Sequence, residues 1–185
     1  MSPIPRSSRI GFNAGLSAIL LLESTRSARV LSFDLGDFKW ARRADALMRE
    51  HYGDRFPGVV FGDSAKTLRQ QAAREPAGKL QCDAAFIDGA KTFAGRLAHI
   101  QDIRSVSPAG TRIFLDEITS LGCVDGSLYE NQTDHRLRCQ SLNGAYYEPS
   151  RAYSHAVQQG MMRILECDWP QRFKETDGIC MAELL

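Results

Sequence analysis

The chain has 185 residues and a net charge of +1, with 43% hydrophobic and 24% charged residues. This length predicts a single domain, residues 1–185, with a full hydrophobic core, and the composition argues against a disordered, collagen-like or membrane-spanning protein. The balanced charge gives no reason to expect nucleic acid or an anionic membrane as a partner, and it leaves open a homodimer.

Short apolar segments alternate with helical patterns along the first part of the chain, which predicts strands joined by helices. The predicted strands are residues 5–10, 29–33, 58–61, 82–87 and 111–115. The predicted helices are residues 16–24, 37–51 (with Asp37 as N-cap), 65–74 and 92–106. The first strand reads as truncated, because Ile4 and Ile10 are its only obvious core residues.

The last part of the chain predicts a helix at 150–159, capped by Ser150, and two strands at 161–167 and 178–184. No helix-length crossover separates these strands, so they should form an antiparallel hairpin at the edge of the sheet. Residues 118–148 are polar and predict an insertion or lid loop. The predicted fold is α/β, a Rossmann-like three-layer sandwich whose mainly parallel, seven-stranded sheet ends in that hairpin.

A glycine-containing turn at residues 11–17 opens the first helix, and the next strand leads to an acid, Asp34. Gly11 and Gly15 allow a ligand to approach the backbone closely. An acid at the end of the second strand binds ribose hydroxyls in nucleotide-binding half-sheets. The sequence therefore predicts a nucleoside-type site beside this turn.

An acid stands at or just past the end of four predicted strands: Asp34, Asp63, Asp88 and Asp116. The carboxyl ends of parallel strands share one edge of a sheet, and ligands of open α/β sheets bind at that edge. Aspartate is also common in turns and N-caps, so each acid taken singly has an ordinary structural explanation. Four of them at one edge favour a functional site.

Residues 10–17, 32–34, 61–64 and 86–89 resemble the class I S-adenosylmethionine-dependent methyltransferases, most closely the small-molecule group called methyltransferase domain 24. The resemblance implies methyl transfer from S-adenosylmethionine to a small molecule, with oxygen as the favoured acceptor atom. It implies that the cofactor is bound by Gly11, Asn13, Gly15 and Ser17 at its methionine and ribose, Asp34 at the ribose hydroxyls, Asp63 and Ser64 at the adenine, and Asp88 near the methionine.

A finer resemblance is to the metal-dependent O-methyltransferases of the catechol and caffeoyl-coenzyme A type. Those enzymes carry an acid and, three residues on, a lysine after the fourth strand, as Asp88 and Lys91 stand here. They carry an Asp-Asn pair after the fifth strand, where this chain has Asp116-Glu117. The resemblance implies that Asp88, Asp116 and Glu117 bind Mg²⁺ or another divalent cation, which activates a substrate hydroxyl. It implies a catalytic role for Lys91, which takes or stabilises the proton, and for Asp88 beside it.

The sequence departs from the family pattern before the first glycine. Methyltransferases of this class usually carry an acid there, which recognises the amino group of the cofactor, whereas this chain has Arg9. This departure, together with a shortened region before the first strand, leaves open a non-catalytic methyltransferase-like binding protein. An NAD(P)-dependent oxidoreductase is a further alternative, although the turn lacks the Gly-x-Gly-x-x-Gly spacing of such enzymes.

The cysteines and histidines give no motif of their own. Five cysteines are present without a CxxC pair, and their odd number favours reduced thiols and a cytoplasmic protein. His99 falls among apolar neighbours on a predicted helix, which indicates a packing or surface residue rather than a catalytic one.

Overall fold

The computed structural model describes residues 6–76, 78, 80, 82–118, 147–168 and 178–185. The strands within these ranges are β1 (Arg6–Ile10), β2 (Arg29–Asp34), β3 (Gly58–Phe61), β4 (Ala84–Ile87), β5 (Arg112–Ile118), β6 (Met162–Asp168) and β7 (Gly178–Leu184). The helices are α1 (Leu16–Ser24), α2 (Lys39–Tyr52), α3 (Ser64–Ala72), α4 (Phe93–Val106) and α5 (Tyr147–Gln158), and a short 3₁₀ turn (Gly53–Arg55) follows α2.

The strands form one seven-stranded sheet in the order β3-β2-β1-β4-β5-β7-β6. β1 to β5 are parallel, and β7 runs antiparallel between β5 and β6. The predicted fold class and the hairpin at the sheet edge are confirmed. The strand order reverses between β1 and β4, and ligands of such sheets bind beyond the carboxyl ends of the strands at that point.

Helices cover both faces of the sheet. One buried cluster joins the strands to α3, α4 and α5 through residues such as Leu68, Ile100 and Tyr153. The other joins them to α1 and α2 through residues such as Leu22 and Met48. Because side chains alternate between the faces of a strand, the sheet supplies both clusters and forms the middle layer of the predicted sandwich.

β1 is central in the sheet although few of its residues are apolar. It pairs in parallel with β2 on one side and with β4 on the other. Ser8, Arg9 and Ile10 are all buried, with 3% of each exposed. The weak apolar pattern of this segment therefore reflects polar side chains in interior positions of a central strand.

Most predicted boundaries agree closely with the structure, and the exceptions have local causes. α2 begins after Phe38 rather than after Asp37, because the Phe38 backbone is still extended (φ −94°, ψ 127°). β5 continues to Ile118, past an irregularity in its pairing with β7 between Leu115 and Ile118. Ser150 lies inside α5 and is fully buried instead of capping it. Most of the predicted insertion at 118–148 falls outside the described residues.

The expectation of reduced thiols is wrong for one pair of cysteines. Cys167 and Cys180 are directly opposite each other on β6 and β7 and form a disulfide. Strand pairing brings them together, and their spacing along the chain gives no sign of it. Cys82 is a buried free thiol. No helix in the described part of the chain is long and apolar enough to cross a membrane; the cytoplasmic location stays a prediction.

Candidate active site

A cavity of about 860 Å³ lies at the carboxyl ends of the parallel strands. Except for Gly15 and Ser17, the predicted site residues line it: Gly11, Asn13, Asp34, Asp63, Ser64, Asp88, Lys91, Asp116 and Glu117. Its size is that of pockets that enclose most of a small-molecule ligand. The sheet therefore gathers at one edge residues that are far apart in the sequence.

Asp34 holds the glycine turn in place. Its Oδ2 accepts hydrogen bonds from the backbone N–H groups of Phe12 (2.8 Å) and Asn13 (2.9 Å), and its Oδ1 accepts one from Gly36 (2.8 Å). Asn13 has a positive φ of 50°, a conformation that asparagine tolerates better than most residues. The carboxylate that the sequence assigned to ribose binding thus also shapes the turn.

Gly11 brings the turn into contact with the end of β4. Its φ is +90°, and a Cβ atom there would lie 2.2 Å from the backbone oxygen of Asp88. No larger residue fits without moving one of the two segments. The glycine therefore allows a close approach of backbone to backbone where β1 and β4 end.

Gly11→Ala is expected to lower the free energy of unfolding by about 3 kcal/mol, because a backbone clash adds to the strain of a positive φ. Gly110→Ala is the matched control, since Gly110 also has a positive φ (+84°) but has nothing within 4 Å of its Cβ position. That variant should lose only about 1 kcal/mol. Urea unfolding of the two variants measures the difference, and equal losses would contradict the role given to the close approach.

Gly15 and Ser17 do not line the cavity. Gly15 is the N-cap of α1 with φ 86°, and a Cβ atom there would meet Met48 and Phe12 within 3 Å. It serves the packing of α1 onto the sheet and α2. Ser17 lies in the first turn of α1, outside the residues that form the cavity wall.

Asp63, which the resemblance assigns to the adenine, is the N-cap of α3. Its Oδ1 accepts a hydrogen bond from the Ala65 N–H at 3.0 Å, and Ser64 begins the helix. The carboxylate therefore has a structural role in addition to lining the cavity.

A cluster of charged side chains lies at the other end of the cavity, where β4 and β5 end. Lys91 Nζ donates a hydrogen bond to Asp88 Oδ1 at 2.8 Å and forms an ion pair with Glu117 Oε2. Arg96 Nη2 lies 3.1 Å from the same Glu117 oxygen, and Arg9 Nη2 lies 3.4 Å from Asp88 Oδ2. The sequence predicted the nearness of Asp88 and Lys91 but neither of the two arginines.

Asp116 lies beside this cluster without a cationic hydrogen-bond partner among the contacts described. Burial, and after it the charge of Asp88, raises the pKa of its carboxyl above the ordinary value. Its Oδ1 accepts a hydrogen bond from the Glu117 N–H at 2.9 Å, and its backbone oxygen accepts one from the buried Tyr153 hydroxyl at 3.1 Å. β5 and α5 together therefore fix the place of this acid.

The arrangement of these acids does not fit the predicted metal site. Among the described residues, no group of three or more His, Cys, Asp and Glu side chains is placed to hold a metal ion. An oxygen of Asp88 and an oxygen of Glu117, two of the three predicted ligands, both face the Lys91 ammonium. A divalent cation that used these two oxygens would have to displace Lys91.

Two residues to which the sequence analysis gave no role in the site also line the cavity. His99 is one, and burial followed by the charge of Arg96 lowers the pKa of its imidazole, which keeps the ring neutral. Phe38 is the other; it stacks on Trp40 with ring centroids 4.5 Å apart. Trp40 in turn donates a hydrogen bond to Asn13 Oδ1 at 2.7 Å. A helical pattern gives only the spacing of residues, so it did not reveal that these two residues line the cavity.

A family model described as "Methyltransferase domain" matches residues 9–118, which include the glycine turn and every acid of the site. The chain belongs to this methyltransferase-domain family. The predicted resemblance to class I, S-adenosylmethionine-dependent methyltransferases is thereby confirmed. No curated protein matches the chain by sequence.

Solved structures share the fold of this methyltransferase. An O-methyltransferase from Bacillus cereus in complex with S-adenosylhomocysteine is 22% identical with a TM-score of 0.68, over 97% of this chain and 74% of that one. Cofactor-bound Rv0187 from MTB is 23% identical with a TM-score of 0.62, over 97% and 72%. The O-methyltransferase TomG from Streptomyces achromogenes, in complex with S-adenosylmethionine, is 17% identical with a TM-score of 0.64, over 97% and 72%. At these identities the likeness shows a common fold.

Proposed function

We propose that this methyltransferase transfers a methyl group from S-adenosylmethionine to an oxygen atom of a small-molecule acceptor. One observation carries the proposal: the glycine turn held by Asp34 and the Asp88–Lys91 pair face the same cavity of about 860 Å³. One pocket thus combines the residues proposed to hold the cofactor with the residues proposed to contact the acceptor. The solved O-methyltransferases of the same fold support the reaction type.

The residues around the glycine turn fit the nucleoside part of the cofactor. A carboxylate has about four lone-pair positions, and the backbone N–H groups of Phe12, Asn13 and Gly36 use three on Asp34. The remaining capacity suits a ribose hydroxyl. At the far end of the nucleoside, Asp63, Ser64 and the neutral His99 line the wall where an adenine would lie. Gly11 and Asp88, which lie together at the ends of β1 and β4, line the part of the cavity assigned to the methionine.

S-adenosylmethionine, when bound, supplies an electrophilic methyl group on a positively charged sulfur. The protein's part is to place an acceptor oxygen in line with that group and to exclude competing water, since positioning supplies much of the acceleration in such reactions. Asp88 and Lys91 lie at the end of β4 where the acceptor would enter. We assign Lys91 to the acceptor oxygen and Asp88 to holding Lys91 in place.

The test has two stages. Calorimetric titration with S-adenosylhomocysteine, with NADH as the control ligand, should show micromolar binding of the first and none of the second. Incubation with S-adenosylmethionine and a panel of phenols and catechols should then give O-methylated products by mass spectrometry. If S-adenosylhomocysteine does not bind, the proposal is wrong.

A non-catalytic binding protein is the second candidate, and Arg9 is the observation that favours it. A buried arginine stands where the family usually has the acid that recognises the cofactor's amino group, and its Nη1 is buried without a hydrogen-bond partner. Binding of S-adenosylhomocysteine without methylation of any acceptor in the panel would establish this alternative.

A further inference from the structure

The Lys91 ammonium contacts two carboxylates. It lies between Asp88 on the loop after β4 and Glu117 on β5, and it contacts an oxygen of each. The side chain is nevertheless 45% exposed, so the ammonium is both anchored by the protein and open to the cavity. An ammonium group has three N–H donors, and two carboxylates leave one donor for another partner.

The two carboxylates are in turn held by arginines on their protein-facing sides. Arg96 is fully buried; it donates to the Ile87 backbone oxygen at 2.7 Å and pairs with Glu117. Arg9, with 3% of its side chain exposed, pairs with Asp88 and lies over the Phe86 ring. Each acid thus forms an ion pair with one buried arginine, and both acids form an ion pair with Lys91. The positive charge that these acids need is supplied by the chain itself.

Glu117, which pairs with Lys91, has an uncommon backbone conformation. Its φ is +60°, a left-handed conformation that costs a residue other than glycine about 1 kcal/mol or more. An asparagine, which the metal-dependent enzymes have at this place, would adopt the conformation more easily. It would also give Lys91 a neutral partner in place of a charged one. The glutamate is thus less suited to the backbone and better suited to an ammonium.

We propose that the Lys91 ammonium is the resident cation of this active site, in the position that a divalent metal would otherwise occupy, and that it binds the acceptor oxygen directly. This role of Lys91 rests on the proposed methyl transfer. It predicts that the transfer proceeds without added metal. The evidence for this role is the position of the ammonium, which contacts two of the predicted metal ligands, Asp88 and Glu117.

This role favours acceptors whose hydroxyl ionises readily, such as phenols. The acceptor proton leaves to solvent, and the oxyanion is held by the free donor of Lys91. The acceptor oxygen then forms a bond to the methyl carbon while the carbon–sulfur bond breaks and its electron pair passes to sulfur. In this scheme Lys91 acts only as a hydrogen-bond donor, and the proton of the acceptor passes to solvent.

Titration with Mn²⁺, followed by the electron paramagnetic resonance of the free ion, tests the proposal without an activity assay. The wild-type protein should bind Mn²⁺ only at about millimolar concentration or more weakly. Lys91→Met removes the ammonium and frees the oxygens of Asp88 and Glu117, so Mn²⁺ binding should tighten by about tenfold. Lys91→Arg keeps a cation in place and should gain nothing. Lys66→Met, which removes an exposed lysine of α3, is the control.

Micromolar binding of Mn²⁺ to the wild-type protein would overturn the proposal, as would a Lys91→Met variant with no gain. Methylation by the wild-type enzyme should also persist in excess EDTA. A requirement for Mg²⁺ would overturn the proposed role of Lys91. S-adenosylhomocysteine binding is measured on the same samples. Its absence would refute the proposed function, whereas its presence together with tight Mn²⁺ binding would refute only the role of Lys91.

Discussion

Asp34→Ala is expected to weaken the binding of S-adenosylhomocysteine by about 100-fold, because charge-assisted hydrogen bonds are worth about 1.5–3 kcal/mol each. The carboxylate accepts two backbone hydrogen bonds from the glycine turn and a third from Gly36, two residues after Asp34. Alanine leaves those N–H groups without their acceptor and also removes the proposed ribose contact. Both losses fall on the cofactor end of the cavity, and calorimetric titration measures their sum.

Two further variants make this result specific. Asp34→Asn keeps one acceptor oxygen and should lose about tenfold in affinity, an intermediate effect. Asp54→Ala removes an exposed carboxylate of the 3₁₀ turn, outside the cavity, and should leave the affinity unchanged. Wild-type affinity in Asp34→Ala would show that this acid does not serve the cofactor site.

Arg96→Met should lower the free energy of unfolding by about 3 kcal/mol, since it leaves the buried Ile87 carbonyl without its donor and removes the buried partner of Glu117, which keeps only the half-exposed Lys91. The guanidinium is fully buried; it joins the backbone at the end of β4 to Glu117 on β5 and faces the Tyr153 ring. Methionine has a similar length but offers no donor. Urea unfolding followed by circular dichroism measures the loss.

Arg112→Met is the matched control for this experiment. Arg112 lies at the start of β5, is 46% exposed, and pairs with Glu183 at 3.4 Å. A surface ion pair of this kind contributes less than about 1 kcal/mol. If both variants lose the same stability, the buried pair has no special role in joining β4 to β5.

Much of the fold could be predicted because it depends on local patterns. Apolar periodicity located the helices and strands. The absence of a crossover between the last two strands predicted their antiparallel pairing. The glycine turn and the acids after β2, β3 and β4 could be placed at one edge because parallel strands end on the same side of a sheet.

The sequence placed Asp88, Lys91 and Glu117 in one site, but it did not indicate that Arg9 and Arg96 complete the charge cluster. Glu117 has a positive φ and lies in the irregular stretch of β5 before Ile118, and neither feature is visible in the residue types. Arg96 falls within a helical pattern, where a charged residue ordinarily predicts a solvated face, and only the packing of α4 on the sheet buries it. Cys167 and Cys180 likewise meet only through strand register.

The position of β7 has a consequence for how the chain folds during synthesis. β7 is the last strand in the described sequence, yet it lies between β5 and β6 in the sheet. While the protein leaves the ribosome, β5 therefore presents an unpaired edge until residues 178–184 emerge, and β6 has no neighbour in the sheet. Unpaired edges of this kind recruit other chains. Folding intermediates in which β7 has not yet inserted between β5 and β6 are therefore expected to be prone to aggregation.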